Sequence, residues 1–390
     1  MKRWPIQPLG DFIAKKSGSV DPSKFPDEVF DLYSIPAFDS GEPEIRAGKG
    51  IGSAKQIVEP ADVLLSRIVP HIRRSWVVGA ERGARLIASG EWIVFRSPQL
   101  HPDFLRHFLA SDPFHAQFMQ TVSGVGGSLL RAKVSEVAKI EIPVPTLAEQ
   151  ERIVKLLDEA DALRKLRADA DTRTAALTPA VFHEMFGDPG TNPKNWPLSP
   201  LRENLDVLYR YPTFYGTSYV ADGVPVARIG NILSSNTLDP DLRNYVRVPY
   251  EFSKEFPRTI LKPGDLVMAV RGDTTGKIGF VPPALAGSNI SPNLIRLSPN
   301  TTRIKSEYLL RLLLFLPSLI EANITDTAKK SITAENLALM RIPVPPVPMQ
   351  EQFAQRVTEI RELEAAQAAS RQRLESLFQS LLHGAFAGEL

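Results

Sequence analysis

Apolar and polar positions alternate most regularly in two long stretches, each introduced by the tetrapeptide Ile-Pro-Val-Pro. Between Ile142 and Gly187, residues Ile153, Leu156, Ala160, Leu163, Ala170, Leu177 and Val181 recur at steps of three, four or seven, the spacing that lines up one helix face. At an offset of 200 the pattern returns: Ile342-Pro343-Val344-Pro345 heads a second stretch with the stripe Phe353, Val357, Ile360, Leu363, Leu374, Leu377 and Leu381. Gln150/Gln350, Glu151/Glu351, Leu163/Leu363, Leu177/Leu377 and His183/His383 are identical in that register. Arg167, Thr174, Gln367 and Ser370 interrupt the stripes near their middles. A seam of about five heptads with polar breaks suits a two-helix coiled coil whose register those residues fix. The obvious partner of each copy is the other.

Proline holds itself and its predecessor in extended geometry, so the Ile-Pro-Val-Pro segments are expected as rigid struts leading into the helices. Thr178-Pro179 is expected to kink or end the first helix. Elsewhere the period shortens to that of strands, as in Trp92 to Phe95, Val224 to Ile229 and Leu266 to Val270, separated by Gly, Pro, Asn and Asp turns. An amphipathic helix is expected after His101 and another after Ser306.

The duplication extends beyond the helices. Trp4-Pro5-Ile6-Gln7-Pro8-Leu9 resembles Trp196-Pro197-Leu198-Ser199-Pro200-Leu201, and the segment from Ile57 to Leu64 parallels that from Ile260 to Val267. Between these anchors the halves differ almost completely, which predicts one scaffold carrying two different variable faces. The expected architecture is mixed α/β: globular domains at 1–145 and 188–345, related by internal duplication and separated by two long antiparallel coiled-coil helices at 146–187 and 346–390.

A chain of 390 residues can bury two cores of about 150 residues each. The absence of cysteine excludes a disulfide scaffold and thiolate metal sites and fits a reducing cytosol. The N-terminal segment lacks the apolar run of an export signal, so a cytoplasmic location is expected. The most apolar window, Leu309 to Ile320, contains Arg311 and Pro317 and is too short and broken to span a bilayer. Net charge is only +2, but the globular segments are net basic and the helical segments net acidic. A polyanion would therefore approach the globes.

Catalytic constellations are missing from the sequence. It has neither a cofactor-binding glycine loop nor an Asp/Asn-Pro-Pro dipeptide with an aromatic neighbour, which an adenine methyltransferase would need, and no Asp/Glu-x-Lys of a divalent-metal nuclease. Gly272-Asp273-Thr274-Thr275-Gly276-Lys277-Ile278 imitates a phosphate loop but is one residue short and has Ile where the metal-binding hydroxyl belongs. The six histidines form no zinc pattern. Loops that interleave glycine and hydroxyl residues with Arg and Lys are the kit for phosphate and base-edge contacts. From them we select Arg67, Arg131 and Lys133 in the first half, and Arg228, Asn231, Arg271, Lys277, Lys329 and Lys330 in the second. A single surface Arg is more often just a solvated charge, so the clusters after Gly124 and at Ala328, in corresponding places before the struts, carry more weight.

Taken together, the twice-occurring Ile-Pro-Val-Pro, the Glu149-Gln150 and Glu351-Gln352 pairs opening long helices, the segment from Gly223 to Ile232, the glycine-rich run from Arg271 and the closing Ala385-Phe386-Ala387-Gly388-Glu389-Leu390 resemble the specificity subunits of type I restriction-modification systems. The resemblance covers essentially the whole chain. It implies that each globe is a target recognition domain reading half of a split double-stranded DNA site, and that the helices form the spacer. It also implies two methyltransferase subunits seated along the helices, with Glu149, Gln150, Glu351 and Gln352 at the interface, and restriction subunits that join to cleave. The chain would then be no enzyme. S-adenosylmethionine for adenine-N6 methylation, ATP and Mg²⁺ would belong to the partners. A departure from strict repetition is that Glu351-Gln352 sits two residues later than Glu149-Gln150 under the 200 offset.

About 36 helical residues give a rod of roughly 54 Å, long enough for half-sites about one DNA turn apart, roughly 34 to 36 Å. Two other readings fit the sequence: the equivalent subunit of a type II system with a fused methyltransferase-nuclease partner, and a coiled-coil scaffold with protein-binding globes and no DNA role.

Overall fold

The structure, a computed structural model, describes residues 4–15, 18–123, 130–210, 218–271, 273–316, 324–325 and 331–390. It divides into two compact units, one formed by Met1–Asp169 with Ala368–Leu390, the other by Ala170–Gln367.

In the first unit a five-stranded sheet runs in the order Ser19–Val20, Lys55–Ile57, Arg85–Ala88, Val29–Tyr33, Glu44–Ala47, and a three-stranded sheet in the order Ser75–Val77, Val63–Ser66, Trp92–Phe95. The expected strand at Trp92 to Phe95 is present with those bounds, and the expected helix follows His101 as Pro102–Ala110. Its buried face of Phe104, Leu105, Phe108 and Leu109 packs with Leu9, Phe12, Ile153, Leu157, Phe378 and Leu382 in one core.

The second unit repeats the plan with different strand numbers. Its four-stranded sheet has the order Leu205–Arg210, Leu294–Pro299, Leu266–Ala269, Ile278–Phe280, and a three-stranded sheet joins Val246–Val248, Val224–Ala227 and Asn289–Ile290. The helix Ser306–Leu314 buries Tyr308, Leu309, Leu312 and Leu313 against Phe182, Phe186, Phe353 and Val357.

The proline struts are strands. Ile6–Pro8 pairs antiparallel with Glu141–Pro143, setting Gln7 opposite Ile142, and Leu198–Pro200 pairs the same way with Arg341–Pro343, setting Ser199 opposite Ile342. The two repeated sequence anchors thus meet each other inside each half. The frame closes identically: Val144 N donates to Pro5 O at 2.8 Å and Val344 N to Pro197 O at 2.9 Å, while Leu9 N and Leu201 N reach Ile140 O and Met340 O at 2.8 Å each. Proline serves on such short edges because they leave its missing N–H unneeded.

After the struts come the central helix, Leu147–Ala175 continued by Leu177–Phe186, and the C-terminal helix Val347–Ala387. The interruption at Ala176 falls where Thr178-Pro179 predicts it, since Pro179 removes a helical N–H. The segment ends at Gly187, whose φ of 79° suits glycine. A Cβ there would lie 2.7 Å from Pro193 Cγ.

Within the second unit the helices run antiparallel: Thr174 meets Gln367 through a 2.8 Å hydrogen bond from Nε2 to Oγ1, while Phe186, later in one helix, stacks edge-on with Phe353, earlier in the other. Both Thr174 and Gln367 are buried, so two of the expected polar breaks do set register. In the first unit Arg164 pairs with Glu375 at 2.7 Å and lies 4.3 Å over the Phe378 ring.

The apolar stripe needs correction. Leu163, Leu177, Leu363 and Leu377 are 50%, 40%, 45% and 48% exposed. Ile153, Ala160, Phe353, Val357 and Ile360 of the stripe are buried as expected, and Val154, Leu157, Phe378, Leu382 and Ala385 are buried beside them. Between Asp161 and Arg173 no residue is fully buried.

Candidate nucleic-acid interface

The buried framework of each globe ends in a corner that the two halves build alike from backbone. In the first, the N–H of Arg67, just past the strand Val63–Ser66, donates to Glu91 O at 3.0 Å, and Ala132 N donates to Arg67 O at 2.8 Å. In the second, Val270 N donates to Asn293 O at 3.0 Å and Ile332 N to Val270 O at 3.1 Å. Strand register agrees, since Ser66 faces Trp92 as Ala269 faces Leu294.

On this corner the structure unites Arg67 and Arg131. Both guanidinium groups converge on Glu91: Arg67 Nε lies 2.9 Å from Oε2 and Arg131 Nη2 3.0 Å from Oε1. Arg131, followed by Arg67, holds the Glu91 carboxyl below its usual range, against the opposing effect of burial. Glu91 was missed at the sequence level. Lys133 is exposed, its N–H held by Thr121 O at 3.1 Å. Several other arginines of this half are ion-paired: Arg85 with Glu28, Arg82 with Asp31 and Glu42, and Arg73 with Asp112.

In the second globe the selected residues separate. Arg228 is exposed at the start of the turn Ile229–Asn231. Asn231, selected as a reader of bases, is a correction: it is buried, its Oδ1 accepts from Arg228 N at 2.9 Å and its Nδ2 donates to Asn244 O at 3.0 Å. Both halves of the buried amide are engaged in closing a turn. Lys277 is likewise turned inward, Nζ donating to Ile232 O at 2.6 Å. Arg271 is exposed. Its charge lies close enough to Arg210 to add to burial, the larger effect, in pushing the Arg210 guanidinium down. No sequence motif flags Arg210, which comes near Arg271 only through the sheet. Lys329 and Lys330 lie outside the described residues.

The residues expected at a subunit interface also sort by burial. Gln150 and Gln350 are fully buried and act as matching clamps. Gln150 Oε1 accepts from His101 N at 2.7 Å while Nε2 donates to Gln99 O and Pro145 O at 2.9 Å each. Gln350 Oε1 accepts from Lys305 N at 2.8 Å while Nε2 donates to Arg303 O at 3.2 Å and Pro345 O at 2.8 Å. Neither amide is presented outward, which corrects their assignment to an interface. Glu149 pairs with Arg152 at 2.9 Å and Glu351 with Lys305 at 2.8 Å, whereas Gln352 is exposed. Among the described residues, no group of three or more His, Asp or Glu is placed to hold a metal ion, and no helix is long and apolar enough to cross a membrane.

Comparison with known proteins gives one direction. Residues 210–376 match the family model described as type I restriction modification DNA specificity domain. The chain is 22% identical over 269 residues to the type I restriction enzyme MjaVIII specificity subunit of Methanocaldococcus jannaschii, covering 64% of this chain and 62% of that protein. It is also 22% identical over 275 residues to the putative type I restriction enzyme MjaX specificity subunit of the same organism, covering 66% and 60%. The match thus spans less than two thirds of these curated relatives. The fold is shared over nearly the full length with a chain from a study of complex assembly and conformational transition of the type I R-M system (TM-score 0.68, 24% identity, 99% of this chain and 98% of that one). It is shared too with the HsdS subunit from Thermoanaerobacter tengcongensis (TM-score 0.53, 24% identity, 100% and 97%) and the S subunit from M. genitalium (TM-score 0.56, 12% identity, 98% and 96%).

Proposed function

We propose that this chain is the non-catalytic DNA specificity subunit of a type I restriction-modification system, which reads a bipartite double-stranded DNA target and directs methyltransferase and restriction subunits to it. One observation carries this reading: a backbone frame built twice, hydrogen bond for hydrogen bond, presents unlike side chains at its matching corners. A scaffold needing only stability has no use for that difference, whereas a reader of two unlike half-sites requires it.

In this reading the half-buried Arg67 and the exposed Arg131, Lys133, Arg228 and Arg271 contact phosphates and base edges. Two methyltransferase subunits dock on the helices around the exposed repeated leucines, with Glu149, Glu351 and Gln352 nearby, and restriction subunits join them. S-adenosylmethionine, ATP and Mg²⁺ are bound by those partners, and the complex works in the cytoplasm.

Methylation-aware sequencing of the source genome, before and after deletion of this gene, tests the reading. A bipartite adenine-methylation motif that vanishes with the gene is the expected result; an unchanged methylation pattern overturns it. Duplex affinity of the purified chain that falls steeply with salt distinguishes a DNA reader from a protein scaffold.

A further inference from the structure

The matching corners differ in a way that assigns particular residues to half-site choice. Glu91 and Asn293 are structural equivalents, each accepting through its carbonyl the N–H of the residue after the neighbouring strand, Arg67 or Val270, at 3.0 Å. In the first globe the Glu91 carboxylate is occupied by two guanidinium groups, so it presents no acceptor of its own. What it fixes is the direction of Arg67 and Arg131, whose side chains remain 35% and 45% exposed. In the second globe Asn293 is exposed and its amide makes no hydrogen bond to another described residue. Arg271, also exposed, follows Val270 in the chain.

We propose that these corners discriminate the two half-sites, Glu91 as a positioning residue that aims Arg131 and Arg67 at a guanine, and Asn293 as a direct reader of an adenine. The proposal rests on the DNA-reading function above and adds the determinants.

The chemistry of base edges supports the pairing. A guanidinium fork matches guanine O6 and N7, and a carboxamide matches adenine N6 and N7. An arginine free to rotate loses much of that discrimination to conformational entropy; one held by a carboxylate at 2.9 to 3.0 Å keeps it. Asn231 is spent on its own turn and Asn289 on Ser253 and Thr259, whereas Asn293 is exposed.

Chromosomal Glu91→Gln and Asn293→Ala variants, read by methylation-aware sequencing, test this. Each is expected to relax one half of the bipartite motif, by about tenfold to a hundredfold at one base pair, and to leave the other half intact, the two variants relaxing opposite halves. With the purified chains, Glu91→Gln is expected to bind random duplex DNA more tightly, because a negative charge is gone, while discriminating less. A merely structural Glu91 would produce no such opposite movement. Melting temperatures equal to the parent's establish folding; a variant failing that is replaced by Glu91→Asp or Asn293→Ser. An unaltered motif in both folded variants, or relaxation of both halves by either, overturns the proposal. Absence of any gene-dependent motif in the parent strain overturns the function itself.

Discussion

Arg296 donates from Nε to Asp265 Oδ2 at 2.7 Å with both side chains only 3% exposed, and the same carboxylate oxygen receives Lys262 N at 2.8 Å. The first half has a counterpart: Asp62 takes Arg96 Nε at 2.6 Å and caps its turn through Glu59 N at 2.8 Å, but Arg96 is 31% exposed. Removing one partner of a fully buried pair strands a charge in a poor dielectric, at a cost of about 3–5 kcal/mol. Asp62 is as buried as Asp265, at 1%, but replacing the partly solvated Arg96 leaves water a path to it, so that loss is smaller. Arg296→Met is therefore expected to destabilise its unit severely, and Arg96→Met by no more than about half as much. Urea denaturation of the two variants checks the order, and equal losses would show that exposure does not govern these pairs.

The clamps made by Gln150 and Gln350 give a second prediction. Each fixes three backbone groups. Alanine at either position leaves the His101 or Lys305 N–H unpaired, at about 1–3 kcal/mol. Glutamate keeps the acceptor yet loses the two donated bonds, so Gln350→Glu is expected to be at least as damaging as Gln350→Ala. Hydrogen exchange at Lys305 is the direct measurement: it should accelerate in Gln350→Ala and stay slow in Gln352→Ala, whose side chain faces outward.

The duplication, the strut strands and the two long helices were legible because they rest on local rules: proline geometry, and the three-to-four spacing of Ile153, Ala160, Phe353 and Val357. The stripe failed where it was extended by sevens through Leu163, Ala170 and Leu177, because a straight helix drifts about 20° per heptad and rotates those positions out of the seam. Site residues failed for another reason. Whether Asn231 faces a base or Asn244 O is decided by a turn closing thirteen residues away. Glu91 acquires its role from Arg67 and Arg131, 24 and 40 residues distant. Such pairings are properties of the sheet rather than of any segment.

His107 supplies a pH dependence. It is buried beneath the central helix, with Nε2 2.8 Å from Asp158 Oδ1 and Arg106 alongside. Burial, helped by Arg106, outweighs the pull of Asp158 and Asp103 and lowers its pKa from the ordinary 6.5. The unfolded chain then binds a proton that the folded one does not. The resulting stability is complete above about pH 6.5 and is lost as pH falls from there to the lowered folded value. Urea unfolding followed by tryptophan emission reports mainly the first unit, which holds Trp4, Trp76 and Trp92. Between pH 7.5 and 5.5 the parent is expected to lose more stability than His107→Gln, which can still donate to Asp158. Equal losses would remove His107 as the cause.

The last prediction concerns Leu163, Leu177, Leu363 and Leu377. Four leucines left 40% to 50% exposed, two on each helix and related in pairs by the 200-residue repeat, contribute little to the chain's own core. Each is better explained as area that a partner would cover, at about 25 cal/mol per Å² of apolar surface removed from water. Because the pairs repeat, two copies of one partner are expected, in keeping with two docked methyltransferase subunits. Leu163→Ser with Leu377→Ser, both in the first unit, should abolish capture of one copy, and Leu363→Ser with Leu177→Ser, both in the second, the other. Each change should alter the stability of the isolated chain by no more than about 0.5 kcal/mol. Mass measurement of the reconstituted complex distinguishes two bound copies from one. Full occupancy in both double variants would mean that the partners sit elsewhere.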